Sequence, residues 1–161
     1  MVPLELVGVR VEIPASTPML LLREQDGRNR LLPIYIGNSE ASAIHCAIEG
    51  VVPPRPLTHD LMLAMLGELG AEVTKVVVTE MRERTYFAEI HMNTADGETV
   101  ISARPSDAIA LAVRCSAPLF ASDELVEQVG QEAAQEPEDE SAEIIDEFKD
   151  FIENVRPEDF Q

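Results

Sequence analysis

An α+β fold is predicted by three features of the 161-residue sequence: two β-β-β-α-α halves forming a mainly antiparallel sheet packed with helices. Short apolar runs are separated by hairpin signals, Gln25-Asp26-Gly27 and Ala95-Asp96-Gly97, which favour antiparallel neighbours. The runs come in two trios followed by helical spacing, rather than alternating singly with helices as a doubly wound parallel sheet requires. Ser39-Glu40-Ala41-Ser42-Ala43-Ile44 also echoes Ser106-Asp107-Ala108-Ile109-Ala110-Leu111, so the halves read as an internal duplication.

Taken in order, Leu4 to Ile13 sets Val7, Val9, Val11 and Ile13 against Gly8, Arg10 and Glu12, the period-two pattern of a half-buried strand. Met19 to Arg23 is a second strand and Arg30 to Ile36 a third. Pro33 lacks a ladder N–H, which points to a sheet edge or a bulge there. Ser39 is expected to cap a helix running to about Glu49, with Ala41, Ile44, Ala47 and Ile48 as its buried stripe. Three prolines stiffen Val51 to Pro56. Thr58 is expected to cap a second helix to Leu69, whose apolar face is Leu61, Met62, Met65, Leu66 and Leu69, and Gly70 ends it. Val73 to Thr79, Arg84 to Met92 and Thr99 to Ile101 form the second trio of strands. A helix over 106–115 follows, then Pro118-Leu119-Phe120, then a short helix capped by Ser122.

These elements fill residues 1–130, taken as one domain. Residues 131–142 hold Gln, Glu, Pro and Ser with little that could pack, and read as an acidic linker. Within 143–161, Ile144, Ile145, Phe148, Phe151, Ile152 and Val155 give a short amphipathic helix with an acidic outer face, whose apolar stripe calls for a protein partner or for its own domain. Net charge is −18, unevenly spread: residues 1–130 carry 18 acids and 10 bases, and 131–161 carry 12 acids and 2 bases. That balance repels nucleic acid overall, so any such partner requires local cations. No basic start followed by an apolar core and no run of about 18 apolar residues is present, so a cytoplasmic location without a membrane span is expected. Cys46 and Cys115 fall in predicted helices beside alanines and read as buried free thiols.

The polar residues that stand out gather at two turns. Arg55-Pro56-Leu57-Thr58-His59-Asp60 and Arg104-Pro105-Ser106-Asp107 each combine Arg-Pro, a hydroxyl and an acid at a helix start. Helix N-termini bind phosphate through free amides and the dipole, and Arg offers a matching fork. Phosphodiester hydrolysis needs a base or a bound metal to activate water, carboxylates to hold that metal, and cations for the developing charge. His59, Asp60, Asp107 and Glu40 with Arg55 and Arg104 supply these types if the turns converge. Helix capping alone accounts for the same pattern at Ser39, Thr58, Ser106 and Ser122. His45 reads as a packing residue and His91 as half-exposed on its strand. There is no G-x-S-x-G elbow, Walker loop or H-E-x-x-H.

Together with Leu32-Pro33-Ile34-Tyr35-Ile36-Gly37 and Ser39-Glu40-Ala41, these motifs resemble, in order and spacing over roughly residues 4–130, the bifunctional nuclease (BFN) domain family. The acidic tail is similar to that of actinobacterial members. The resemblance implies cleavage of DNA and RNA, an α+β fold and a homodimer. Carried over by motif position, it implies catalytic roles for His59, Asp60 and Asp107 and phosphate binding by Arg55, Arg104 and Ser106. A divalent metal, Mg or Mn, is expected at Glu40, Asp60 and Asp107. Where many members carry Asp two residues before the motif arginine, this chain has Ser102. A non-catalytic dimeric module with an anion pocket and a protein-docking tail is the alternative.

Overall fold

Two three-stranded meanders meet along a strand of only three residues. In the computed structural model, which describes residues 1–12 and 14–132, the first meander is β1 (Val2–Glu12), β2 (Thr17–Glu24) and β3 (Leu31–Tyr35). It is followed by α1 (Asn38–Ile48) and α2 (Thr58–Glu68). The second is β4 (Glu72–Arg82), β5 (Thr85–Thr94) and β6 (Gly97–Ala103), followed by α3 (Pro105–Cys115), β7 (Leu119–Ala121) and α4 (Asp123–Val129). The seven strands form one sheet in the order β3-β2-β1-β7-β4-β5-β6. Strand order thus runs outward from β7 as 1-2-3 on one side and 4-5-6 on the other. β7 pairs antiparallel with β1 and parallel with β4, and every other pairing is antiparallel. The segment Pro118-Leu119-Phe120, too short to show a period, therefore supplies the seam between the halves. Pro33 does lie on an edge strand, β3.

The strict alternation expected for β1 does not hold. A bulge between Leu6 and Gly8 shifts the register, so that Leu6 faces Leu22 and Val9 faces Leu20. Leu4, Leu6 and Val9 therefore join the core, while Val11 is exposed. Gly8, at φ 149°, adopts the backbone that the bulge requires. Ile13 lies outside the described residues, as do the linker beyond 132 and the 143–161 segment.

Two apolar clusters hold the helices to the sheet. Leu20, Leu22, Leu32 and Ile34 pack with Ile44 of α1, Ile109 of α3 and Leu125 and Val126 of α4. Val73, Val76, Ile90 and Met92 pack with Ala108, Leu111 and Ala112 of α3. α3 is the hub: every residue from Ala108 to Ala112 is buried. Its alanines let α1 and the strands approach closely, and each fully buried aliphatic side chain contributes about 1.5–3 kcal/mol. α2 differs from expectation. It leans on α3 through Leu63 and Leu66, and turns Leu61, Met62, Met65 and Leu69 outward. His45 and Cys115 are likewise exposed rather than packed, and both cysteines are free.

Three of the four expected caps do not form. The helices begin after Gly37, Leu57 and Arg104, which places Ser39, Thr58 and Ser106 inside the first turn, where no hydroxyl caps an amide. Only Ser122 acts as expected, its Oγ accepting from the Leu125 amide at 3.1 Å.

Candidate functional site

Because α1, α2 and α3 start after Gly37, Leu57 and Arg104, each carries its first-turn acid at the third helical position: Glu40, Asp60 and Asp107. The side chains of these first turns meet through two arginines. Arg104 donates from Nε to Asp107 Oδ2 at 2.7 Å and from Nη1 to Glu40 Oε1 at 3.1 Å. His59 Nε2 lies 3.1 Å from Asp107 Oδ1. Arg114, reaching back from the last turn of α3, donates to Asp60 Oδ1 at 2.6 Å and to the carbonyls of Ala110 and Ala43. It thereby ties all three helices together. The second oxygen of Asp60 accepts from the Leu57 amide at 2.9 Å, satisfying one orphan donor of α2. Gly37 makes room for this arrangement, since a Cβ there would collide with the Glu40 carboxylate.

The electrostatics follow from these contacts. Burial pushes the Asp107 carboxyl up, but hydrogen bonds and charge from Arg104 and His59 more than offset this and leave it below the ordinary range. Asp60 is held low by its bond to Arg114 and then by the Leu57 amide. Arg104 is raised above its usual value, chiefly by Asp107. With Asp107 ionised and able only to accept, His59 Nε2 is the donor of this bond. His59 is 8% exposed, the one buried residue of α2. Arg104, in contrast, is 65% exposed at its side chain and spends two of its five N–H groups on carboxylates.

Beside this chain of contacts lies a cleft of about 680 Å³ lined by residues that include Glu40, His59, Met62, Ser102, Arg104 and Asp107. A second, of about 390 Å³, lies where Tyr35, Gly37, Arg84, Tyr86 and Ser106 come together, and Glu40 and Arg104 border both. Of the residues predicted for a site, Glu40, His59, Arg104 and Asp107 form one connected cluster. Asp60 joins them through the helix that it shares with His59. Ser106 is buried and faces the second cleft. Arg55 is exposed on the proline-rich connection and borders neither cleft. The three expected metal donors do not meet: among the described residues no three His, Cys, Asp or Glu side chains converge as a metal ion needs. Each of these carboxylates is instead bound to a guanidinium. Arg84 and the two tyrosines were not singled out from sequence; Tyr35 lies within a quoted motif, but nothing in its spacing marks it as a wall of a cleft.

Comparisons with known proteins agree with the motifs. Residues 20–134 match the family model described as the Bifunctional nuclease domain. An uncharacterized protein of Mycobacterium tuberculosis is 39% identical over 160 residues, covering 96% of this chain and 95% of that protein. Bifunctional nuclease 2 of Oryza sativa subsp. japonica is 31% identical over 115 residues, 70% of this chain and 35% of the relative. Bifunctional nuclease 2 of Arabidopsis thaliana is 34% identical over 103 residues, 62% and 31% respectively. This chain spans about a third of the length of these plant relatives. Among the described residues no helix is long and apolar enough to cross a membrane.

Proposed function

The chain belongs to the bifunctional nuclease domain family, and we propose that it is a nuclease hydrolysing phosphodiester bonds of DNA and RNA in the larger cleft. The observation that carries this reading is the His59–Asp107–Arg104 chain of contacts at the cleft wall. Asp107 accepts from Nε2 and so orients the imidazole, the role of the third member of a nucleophile-activating triad. Water attacks phosphorus as His59 Nδ1 takes its proton. A new P–O bond forms, the ester P–O bond breaks, and the leaving oxygen takes a proton from solvent. The remaining N–H groups of Arg104 supply a fork for the non-bridging oxygens as charge develops on them. First-turn dipoles of three helices favour negative charge at the same point. Because Glu40, Asp60 and Asp107 do not fit a resident divalent ion, no step is routed through one.

The test is cleavage of labelled single-stranded RNA and DNA with Mg²⁺, Mn²⁺ or EDTA, beside His59→Ala of unchanged melting temperature. Cutting that persists in EDTA and falls by about 10²–10⁴-fold in the variant is expected, the usual contribution of a positioned acid–base group. Loss in EDTA would return the divalent ion to the mechanism. Equal cutting by both proteins would move the site elsewhere. No cutting by either would favour the anion-binding module.

The homodimer implied by the resemblance fits the outward row of α2. Leu61, Met65 and Leu69 are exposed, Leu69 to 76%, and border neither cleft, and an exposed apolar row marks an interaction site. In this reading a second copy covers it. Light scattering on the full chain is expected to give twice 17.7 kDa, and Met65→Glu the single-chain mass. A dimeric Met65→Glu protein would remove α2 from the interface.

A further inference from the structure

The two clefts share a wall. Glu40 and Arg104, joined at 3.1 Å, border both, so a ligand longer than one cleft crosses that ion pair into the other. Charge on the two sides is unequal. In the first cleft Arg104 faces two carboxylates, and the neighbouring Arg114 is bound to Asp60. Arg84 is the one arginine bordering either cleft that no carboxylate among the described residues holds. It sits in the two-residue β4–β5 turn, where Glu83 and Arg84 have φ of 50° and 64°. Such a turn ordinarily takes Asn-Gly, because left-handed backbone is disfavoured for residues with a Cβ. A cation thus stands at a position where local preference alone favours a small residue.

The second cleft also has aromatic walls. Tyr35 ends edge strand β3 and is 58% exposed at the border of this cleft. Tyr86 is fixed by donating its hydroxyl to the Pro33 carbonyl at 3.4 Å. The cleft's volume of about 390 Å³ lies at the small end of the range for compact ligands. A flat ring bordering the same cleft as a guanidinium that no carboxylate among the described residues holds, next to the larger cleft with Arg104, matches one unit of a single strand: base on ring, phosphate on cation. A duplex would not fit this pairing, since its bases are stacked on one another.

We propose that the second cleft seats the nucleotide flanking the scissile phosphate of a single-stranded nucleic acid, with its base on Tyr35 and its phosphate on Arg84. This subsite rests on the nuclease reading above, and the experiment separates the two. Binding of a fluorescent hexanucleotide is measured by anisotropy for the full chain and for Tyr35→Ala, Tyr35→Phe and Arg84→Ala proteins of unchanged circular dichroism. Hydrolysis of bis(p-nitrophenyl) phosphate, too small to span both clefts, is followed in parallel. Tyr35→Ala and Arg84→Ala are each expected to weaken hexanucleotide binding about tenfold, the order of one lost stack or contact. Tyr35→Phe keeps the ring and binds as the parent does. Arg84→Ala flattens the log–log salt dependence by about 0.7, the share of one phosphate on a single strand. Neither alanine variant changes turnover of the small diester. Equal hexanucleotide binding by the parent and both alanine variants would overturn the subsite, as would equal losses on both substrates. Arg84-dependent binding without hydrolysis of either substrate would keep the subsite and overturn the nuclease reading. No binding by the parent protein would overturn both.

Discussion

The starts of α3 and α4 are written in nearly the same residues and do different things. Pro105-Ser106-Asp107 and Ser122-Asp123-Glu124 each offer a hydroxyl followed by an acid. At α4 the hydroxyl does what local chemistry suggests: Ser122 Oγ accepts from Leu125 N–H and donates to the Thr79 carbonyl at 2.6 Å. Asp123 reaches only the chain's own amino terminus, at the surface. At α3 the helix begins at Pro105, which needs no N–H partner, so Ser106 is not a cap. Asp107 is thereby free of capping and bonds outward, to His59 of α2 and to Arg104. The helix starts two residues earlier relative to its serine than α4 does, and that shift turns a capping motif into a contact between helices.

The comparison breaks most sharply on paired variants. Asp107→Asn is expected to lower turnover on RNA or DNA by 10²-fold or more, through loss of the correct imidazole tautomer, while stability changes less. Ser122→Ala is expected to do the reverse. Removing the cap and the bond to Thr79 costs about 1–2 kcal/mol of unfolding free energy, read by urea titration, with turnover unchanged. If Asp107→Asn lowered stability by as much as Ser122→Ala and left turnover intact, the two helix starts would be equivalent and the site reading would fail.

Much of the fold was legible, because hairpin turns and the apolar period depend on near neighbours. Gln25-Asp26-Gly27 and Asp96-Gly97 mark turns that the structure contains, and Ala88, Ile90 and Met92 face inward as their spacing suggests. What was not legible depends on partners distant in sequence. β7 is too short to show a period and becomes a strand only because β1 and β4 leave a slot between them. The bulge at Gly8 interrupts the alternation read for β1, and its effect on register depends on the pairing with β2. The outward face of α2 has the spacing of a buried stripe, and nothing local tells an internal core from an external surface. In the cluster, the two Arg-Pro motifs lie at helix starts whose side chains meet. They could not tell that Arg104 is shared by two carboxylates, or that Arg55, in the same motif context, stands apart.

The smallest expected effect separates the two regions by pH. Asp60 is bonded to Arg114, whose side chain is only 8% exposed, whereas Asp123 and the amino terminus are open to solvent. Both carboxyls are held below the ordinary value, Asp60 mainly by Arg114 and Asp123 mainly by the terminal ammonium. A carboxyl lowered in the folded state contributes stability that is fully present above its unfolded pKa of about 3.9 and is lost as pH falls through the folded value. Asp60→Asn is therefore expected to flatten the fall in unfolding free energy below about pH 4, by at most about 1.4 kcal/mol per pH unit for one proton. Asp123→Asn at 0.5 M NaCl is expected to run parallel to the parent protein, because its exposed pair is screened. Urea titrations from pH 5 to pH 3 at that salt read both. Parallel acid limbs for Asp60→Asn and the parent would mean that the link between α2 and α3 is as weak as a surface pair. Arg114 would then have no part in holding His59 against Asp107.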